Sequence, residues 1–141
     1  MRTLGDRIRH ALSFEAIGLL AAAPLGAWVF GFPLHEMGLV AAASAAIATA
    51  WNFVFNWLYD LARLRSVGTT EKTTLARVQH AVMFELGLLA LLMPFIAWSL
   101  GVPLWQALVM DLSFALFYVV YAFGFNWAYD RVFPLPEWEI R

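Results

Sequence analysis

The sequence predicts an all-α membrane protein: four transmembrane helices, arranged as two parallel-repeat helical hairpins with N and C termini cytoplasmic. Three observations predict it. First, 62% of the residues are hydrophobic and 13% are charged, and mean hydropathy is +0.71. A water-soluble globule of 141 residues would lack the polar surface to cover itself at that composition. Second, charge-free runs cover 16–34, 37–59, 86–110 and 112–129, and runs of about 18 or more apolar residues are long enough to span a bilayer as helices. Third, residues 7–60 return at 77–130 without a gap. Arg7-x-x-His10-Ala11-x-x-Phe14-Glu15 recurs as Arg77-x-x-His80-Ala81-x-x-Phe84-Glu85, and Phe55-Asn56-Trp57-x-Tyr59-Asp60 as Phe125-Asn126-Trp127-x-Tyr129-Asp130. A fixed-period match of this length reads as one hairpin written twice.

Taken in order, the spans are expected at 10–31, 36–59, 80–101 and 105–129. The first runs into Gly31-x-Pro33, and the third into Gly101-x-Pro103, glycine–proline pairs that mark hairpin turns. The second carries Ala41, Ala45 and Thr49 at i, i+4, i+8, a ridge of small residues suited to close helix approach. The chain organisation is a first hairpin repeat over 1–65, a cytoplasmic connector over 66–76 and a second hairpin repeat over 77–141. Basic residues set the orientation. They cluster before the first span (Arg2, Arg7, Arg9), in the connector (Arg63, Arg65, Lys72, Arg77) and after the fourth span (Arg131, Arg141), and neither turn holds one. The positive-inside rule therefore puts both termini and the connector in the cytoplasm. Both hairpins then insert the same way, related by an axis along the membrane normal. The arginines ahead of an Ala-rich stretch resemble a signal peptide, but the same segment recurs inside the chain, where cleavage has no meaning.

Several function classes drop out. Without cysteine there is no disulfide, thiolate metal site or cysteine nucleophile. A net charge of −1 offers no basic face to nucleic acid, and no Gly-rich phosphate loop or nucleophile elbow is present. His10 and His80 lack the i+4 histidine or carboxylate of a helical metal site; near the cytoplasmic interface they are expected to make capping or headgroup contacts. No metal, no cofactor and no enzymatic activity are expected.

Antiparallel helices rise equally along the normal, so depth can be counted from the turns. Glu15 lies level with Trp51, beside Asn52, and Glu85 lies level with Tyr121. At about 1.5 Å per residue both carboxylates sit roughly 27 Å from the outer turn, inside the membrane toward its cytoplasmic side. Thr49, Asn52, Asn56, Tyr59 and Asp60 form one polar stripe, which must face protein or water. For Asn56, Asn126, Asp60 and Asp130 the favoured reading is interhelical hydrogen bonding. Trp28, Trp98 and Trp105 at one end, with Trp57, Trp127, Tyr59 and Tyr129 at the other, fit aromatic belts. Trp51 is too deep for a belt. It reads as a ring beside the Glu15 carboxylate, suited to an organic cation, with lipid packing as the alternative.

Glu15, Glu85 and Asp111 carry the functional argument. An ionised carboxylate costs about 2.5–3.5 kcal/mol at a helix centre, and no Lys or Arg shares these spans to pair with it. Each site then holds either a proton or an organic cation, the minimal chemistry of proton-coupled cation export. For the two glutamates the alternative is a packing hydrogen bond, or a capping contact with Arg7 or Arg77. Asp111 is either an exit-side proton relay or a wet residue near the turn. Phe14, Trp51, Asn52, Asn56 and Tyr121 are the expected substrate contacts; Arg7, His10, Arg77, His80, Asp60, Asn126 and Asp130 are the expected structural or gating groups.

These tandem motifs, with Trp51-Asn52-x-x-x-Asn56 ahead of an acidic helix end and Tyr121-x-x-x-x-Asn126-Trp127-x-Tyr129-Asp130 in the second repeat, resemble the proteobacterial antimicrobial compound efflux (PACE) family, built from tandem bacterial transmembrane pair domains. The resemblance covers about 7–130. It implies a small multi-pass exporter of the bacterial inner membrane that exchanges protons for cationic biocides such as chlorhexidine, or for short-chain diamines. The family's essential carboxylate matches Glu15, and its second-repeat motifs match Glu85, Asp111, Tyr121 and Asp130.

The resulting expectation is a proton-coupled antiporter of small cationic organic substrates, embedded in the lipid bilayer as a homodimer, since four helices leave little room to enclose a drug-sized ligand. The alternative is a non-transporting helix-assembly module whose polar stripes only hold helices together. A passive pore would need a continuous wet path, which one short stripe does not supply. The topology is directly testable: cysteines at Gly31 and Gly101 are expected to label from outside the cell, and ones at Ser66 and Glu137 only after permeabilisation. Labelling of Ser66 from outside would overturn the parallel-repeat arrangement.

Overall fold

A computed structural model describes residues 2–135 and comprises four α-helices: α1 Leu4–Phe30, α2 Leu34–Val67, α3 Thr74–Leu100 and α4 Leu104–Val132. All four are long and apolar enough to cross a membrane, as the four apolar runs predict. Glu137 and the rest of the expected second hairpin beyond residue 135 lie outside the described residues.

Local chemistry sets the helix ends. Thr3 and Thr73 cap α1 and α3, each hydroxyl oxygen accepting the N–H three residues on, at Asp6 and Ala76, over 3.2 Å. Gly31 and Gly101 close the same helices in the left-handed region, at φ 74° and 64°, where a side chain would be strained. Gly68, at φ 78°, ends α2 by donating to Leu64 O. These caps correct the expected boundaries. α1 begins at 4 rather than 10, α2 runs to 67 rather than 59, and α3 begins at 74 rather than 80. An apolar run marks only the stretch that lipid contacts, whereas the helix continues into the polar residues until a capping threonine or glycine stops it.

Pro24 and Pro94, one repeat apart, lie inside α1 and α3. Each removes one backbone donor and frees the carbonyl four residues back, at Leu20 and Ala90, an arrangement that membrane helices tolerate. Counting prolines only as turn markers misses this repeated feature.

The chain divides into two compact units, one of Met1–Ala41 with Leu112–Arg141 and the other of Ala42–Asp111. Unit 1 thus joins α1 and the start of α2 to most of α4, and unit 2 joins the rest of α2 to α3 and the start of α4. In unit 1, Gly26 lets Phe114 and Met37 approach so closely that a Cβ there would sit 2.9 Å from Phe114 Cζ, and Met37 is fully buried. In unit 2 the fully buried side chains include Ile96, Ala107 and Met110. Ala107 is the repeat equivalent of Met37. Large apolar residues such as Leu20, Phe123 and Trp98 are exposed, as lipid-facing side chains of a membrane helix are.

Candidate functional site

Each unit holds one of the two repeat-related glutamates, Glu15 in unit 1 and Glu85 in unit 2, and around it the two units are built alike. In unit 1 the Tyr121 hydroxyl donates to the carbonyl of Phe14, the residue before Glu15, over 2.8 Å. In unit 2 the Trp51 indole N–H donates to the carbonyl of Phe84, the residue before Glu85, over 3.1 Å. These are one contact made twice, by equivalent positions of the repeat. Glycines make room for it: the Tyr121 and Tyr118 rings lie against Gly18, and the Trp51 ring lies on Gly87, where a Cβ would meet Cζ2 at 2.2 Å.

This corrects the expected surroundings of the carboxylates. The reading by depth set Trp51 and Asn52 beside Glu15 and Tyr121 beside Glu85. In the structure Trp51 flanks the Phe84–Glu85 step and Tyr121 flanks Phe14–Glu15. Counting from a turn fixes the depth of a residue but not the direction in which its side chain leaves the helix. Four residues at one depth admit either pairing, and packing selects it.

Toward the N-termini of α1 and α3 the equivalence continues. His10 Nε2 donates to Asn126 Oδ1 and His80 Nε2 donates to Asn56 Oδ1, both over 2.7 Å. His10 is boxed by Phe125 and Tyr129, and His80 by Phe55 and Tyr59. The histidines therefore make side-chain bonds across helices, not the expected capping or headgroup contacts. The motif spacing alone did not reveal the asparagine, which sits on a different helix. Asn52, exposed, accepts from Asn56 Nδ2 through its side chain at 2.7 Å and its carbonyl at 2.8 Å, and so orients the amide that receives His80. Thr49 Oγ donates to its own helix at Ala45 O.

One turn further, Tyr129 is buried and donates to Asp6 Oδ1 over 2.7 Å, while Tyr59 donates to Ala76 O over 3.0 Å. Both tyrosines are packed between helices, unlike the exposed belt residues Trp57 and Trp127, because a hydroxyl that finds a backbone or carboxylate acceptor satisfies itself inside. Finally, Arg2 pairs with Asp130 at 2.5 Å and Lys72 with Asp60 at 3.4 Å, again equivalent positions. Arg2 also binds Asp6 at 2.5 Å, and these two carboxylates, Asp6 foremost, hold its guanidinium above its ordinary value. His10, His80, Asn56 and Asn126 thus bond from helix to helix, and Asp130 and Asp60 pair with basic residues just ahead of α1 and α3.

The glutamates do not. Glu15 and Glu85 are exposed on the chain, and among the described residues neither has a hydrogen-bond or ion-pair partner. Arg7 is exposed, and Arg77, also exposed, spends its Nε on Lys72 O at 3.3 Å, so neither arginine caps its glutamate. Tyr121, whose hydroxyl bonds the carbonyl just before Glu15, and Tyr118 both lie against Gly18, one helical turn after Glu15. Asp111 is buried, and its Oδ2 has no hydrogen-bond partner. Phe14 packs on Tyr121 at 4.9 Å and on Tyr118 at 6.4 Å, so Glu15 projects from a helix turn lined by aromatic faces. Among the described residues no three histidines or carboxylates gather as a metal would need.

Comparison with known proteins gives these geometries a context. The family model described as BTP, chlorhexidine efflux transporter, matches the chain twice, over residues 2–65 and 72–135. The chain is similar to the short-chain diamines transporter of Vibrio parahaemolyticus, 33% identical over 135 residues covering 96% of this chain and 95% of the relative. It is also similar to the short-chain diamines transporter of Acinetobacter baylyi, 33% identical over 126 residues covering 89% and 88%, and that of Acinetobacter baumannii, 31% identical over 126 residues covering 89% and 86%. No solved structure shows a significant match.

The seat of Trp51 on Gly87 generates a test. Gly87→Ala puts a methyl into the indole, and because the N–H is tied to Phe84 O the ring cannot simply swing away. The variant is expected to lose about 1–3 kcal/mol of unfolding free energy, the usual cost of overpacking, in a denaturing-detergent titration. Gly18→Ala, whose Cβ would meet Tyr121 Cε1 at 3.1 Å, is expected to lose less. A Gly87→Ala protein as stable as wild type would contradict the indole's placement.

Proposed function

This chain belongs to the chlorhexidine efflux transporter family, and from that premise we propose that it exports organic cations across the bacterial inner membrane in exchange for protons. One observation carries the proposal: Glu15 stands in a membrane-spanning helix, without a bonding partner among the described residues, between Phe14, whose ring packs on Tyr118 and Tyr121, and Gly18, against which the same two tyrosines lie. An unpaired carboxylate in lipid is costly when ionised. A proton neutralises it; so does an organic cation, whose charge aromatic faces also attract. The two occupants exclude each other, and that exclusion couples proton entry to cation exit.

The reading of the chain as a mere assembly module loses its support at the same place. His–Asn, tyrosine and Asp–Arg/Lys contacts hold the helices within each unit, and the glutamates contribute to none of them. Both the chlorhexidine of the family description and the diamines of the similar transporters are dications, so we assign this chain a dicationic organic substrate. Glu85 in unit 2 then supplies a second exchange carboxylate, with Asp111 as its relay. A homodimer fits the exposure of both glutamates on a single chain, since a second copy covers what lipid would leave unsolvated.

Charge balance sharpens this into a measurement. One proton in for one monovalent cation out moves no net charge, and the pH gradient alone drives it at about 1.36 kcal/mol per pH unit. A dication leaving against one proton moves positive charge outward against the membrane potential, costing about 2.3 kcal/mol per 100 mV. Two glutamates remove that cost. A dication is therefore expected to release about two protons per molecule bound, measured in weakly buffered detergent solution. Glu15→Gln is expected to fold normally and lose transport, whereas Glu85→Gln halves the release if the pair is intramolecular. Transport by Glu15→Gln equal to wild type would end the exchange hypothesis, and one proton per dication in wild type would end the paired-carboxylate version.

A further inference from the structure

The repeat is not symmetric everywhere, and one departure leaves a space. In unit 1 the outer half of α1 presents Ala22 and Gly26, and α4 presents Phe114 and Phe117. Their equivalents in unit 2 reverse the bulk: Leu92 and Ile96 are buried on α3, opposite Ser44 and Ile47 in sequence register on α2. In unit 1 the exchange does not cancel. A cavity of about 80 Å³ remains, lined by Ala22, Leu25, Gly26, Val29 and Phe30 of α1 and by Ser113, Phe114 and Phe117 of α4. The space is open at its rim, where Leu25 and Val29 are exposed, and its apolar lining suits a hydrocarbon guest rather than water.

A row of packed aromatic rings links Phe14, the residue before Glu15, to the cavity. Phe14 contacts Tyr121 and Tyr118, these contact Phe117 at 5.8 and 5.3 Å, and Phe117 lines the cavity. Between carboxylate and cavity stands the Tyr118 hydroxyl, buried and without a hydrogen-bond partner. From Glu15 to Ala22 is about 10 Å along the helix, and to Phe30 about 22 Å.

We propose that unit 1 contains a tail-binding subsite for amphiphilic cations: the cationic head at Glu15 and the Tyr118 hydroxyl, the aryl or alkyl tail along Phe117 into the cavity bounded by Ala22, Val29 and Phe114. The proposal rests on the exchange role of Glu15 and names the substrate shape that this unit takes. A compact diamine does not span the distance to the cavity, so the cavity selects for cations that carry a tail of about 10 Å or more.

The test uses the full chain in lipid nanodiscs, with protein-free nanodiscs subtracting partition into lipid. Binding of tetramethylammonium, a four-carbon diamine and 4-phenylbutyltrimethylammonium is compared in wild type, Ala22→Leu and Val29→Phe. Ala22→Leu installs the residue that unit 2 carries at this position, and Val29→Phe fills the cavity from its exposed rim, so a folding failure of the first leaves the second decisive. Wild type is expected to bind the phenylbutyl cation about tenfold or more tightly than tetramethylammonium, about 1.4 kcal/mol. Both variants are expected to lose that increment while binding tetramethylammonium within twofold of wild type. An increment that survives in Val29→Phe overturns the cavity subsite. So does a wild type without any increment, the result if a lipid acyl chain holds the cavity. If no cation of the three binds or releases protons in wild type, the exchange reading itself fails along with the subsite.

Discussion

An aromatic donor resting on the backbone carbonyl just before each glutamate is the contact on which the rest of this structure depends. Tyr121 on Phe14 and Trp51 on Phe84 do the same geometric work with different chemical groups. Each brings a helix of one repeat against a helix of the other, and each needs a glycine, Gly18 or Gly87, to let the ring come down onto the backbone. Once that contact is set, the bonds one, two and three turns toward the N-termini of α1 and α3 follow in register: histidine to asparagine, tyrosine to the first turn, and Asp130 or Asp60 to a basic partner. In lipid, where apolar side chains gain little by meeting one another rather than acyl chains, such polar contacts and close packing are what hold helices together.

The same economy isolates the glutamates. The histidines, asparagines and tyrosines at that end of the helices are bonded in pairs, and among the described residues Glu15 and Glu85 remain unbonded. A fold that satisfied Glu15 with an arginine or an amide would gain stability and lose the unpaired carboxylate that the proposed exchange requires. Asp111 is a different case: buried, with one oxygen unpartnered, and standing where the first repeat carries Ala41. It belongs to unit 2 alone and gives that unit an acidic group on the Gly101-turn side of its glutamate, as the aromatic-lined cavity gives unit 1 an apolar one on the Gly31-turn side.

Much of this was legible in the sequence. The four spans, the gap-free repeat and the family resemblance follow from apolar runs and spaced motifs, and the Gly–Pro turns fall where the left-handed glycines Gly31 and Gly101 lie. The polar stripe of α2 was visible too, with Asn56, Tyr59 and Asp60 correctly set toward protein. What the sequence did not reveal is which helix each stripe meets. Depth counting put Trp51 with Glu15 because both quantities it uses, rise and turn position, are blind to azimuth. The partner asparagines of the histidines were hidden for the same reason, since His10 and Asn126 lie more than a hundred residues apart. Helix ends were misjudged because hydropathy reports lipid contact, whereas Thr3, Gly68 and Thr73 report where hydrogen bonding stops. The cavity in unit 1 required comparing the repeats for bulk rather than for motif, and Gly26 against Ile96 was the available signal.

The central claim is that each glutamate is framed by one helix from each repeat. Short-range thiol cross-linking tests it most directly, because the chain carries no cysteine of its own. Two double variants, His10→Cys with Asn126→Cys and Asn56→Cys with His80→Cys, are treated in membranes with a short bifunctional thiol reagent. The account predicts an intramolecular cross-link in both, on a species of monomer mass. Folded protein in which neither pair reacts, at any reagent concentration that modifies the single cysteines, would contradict it.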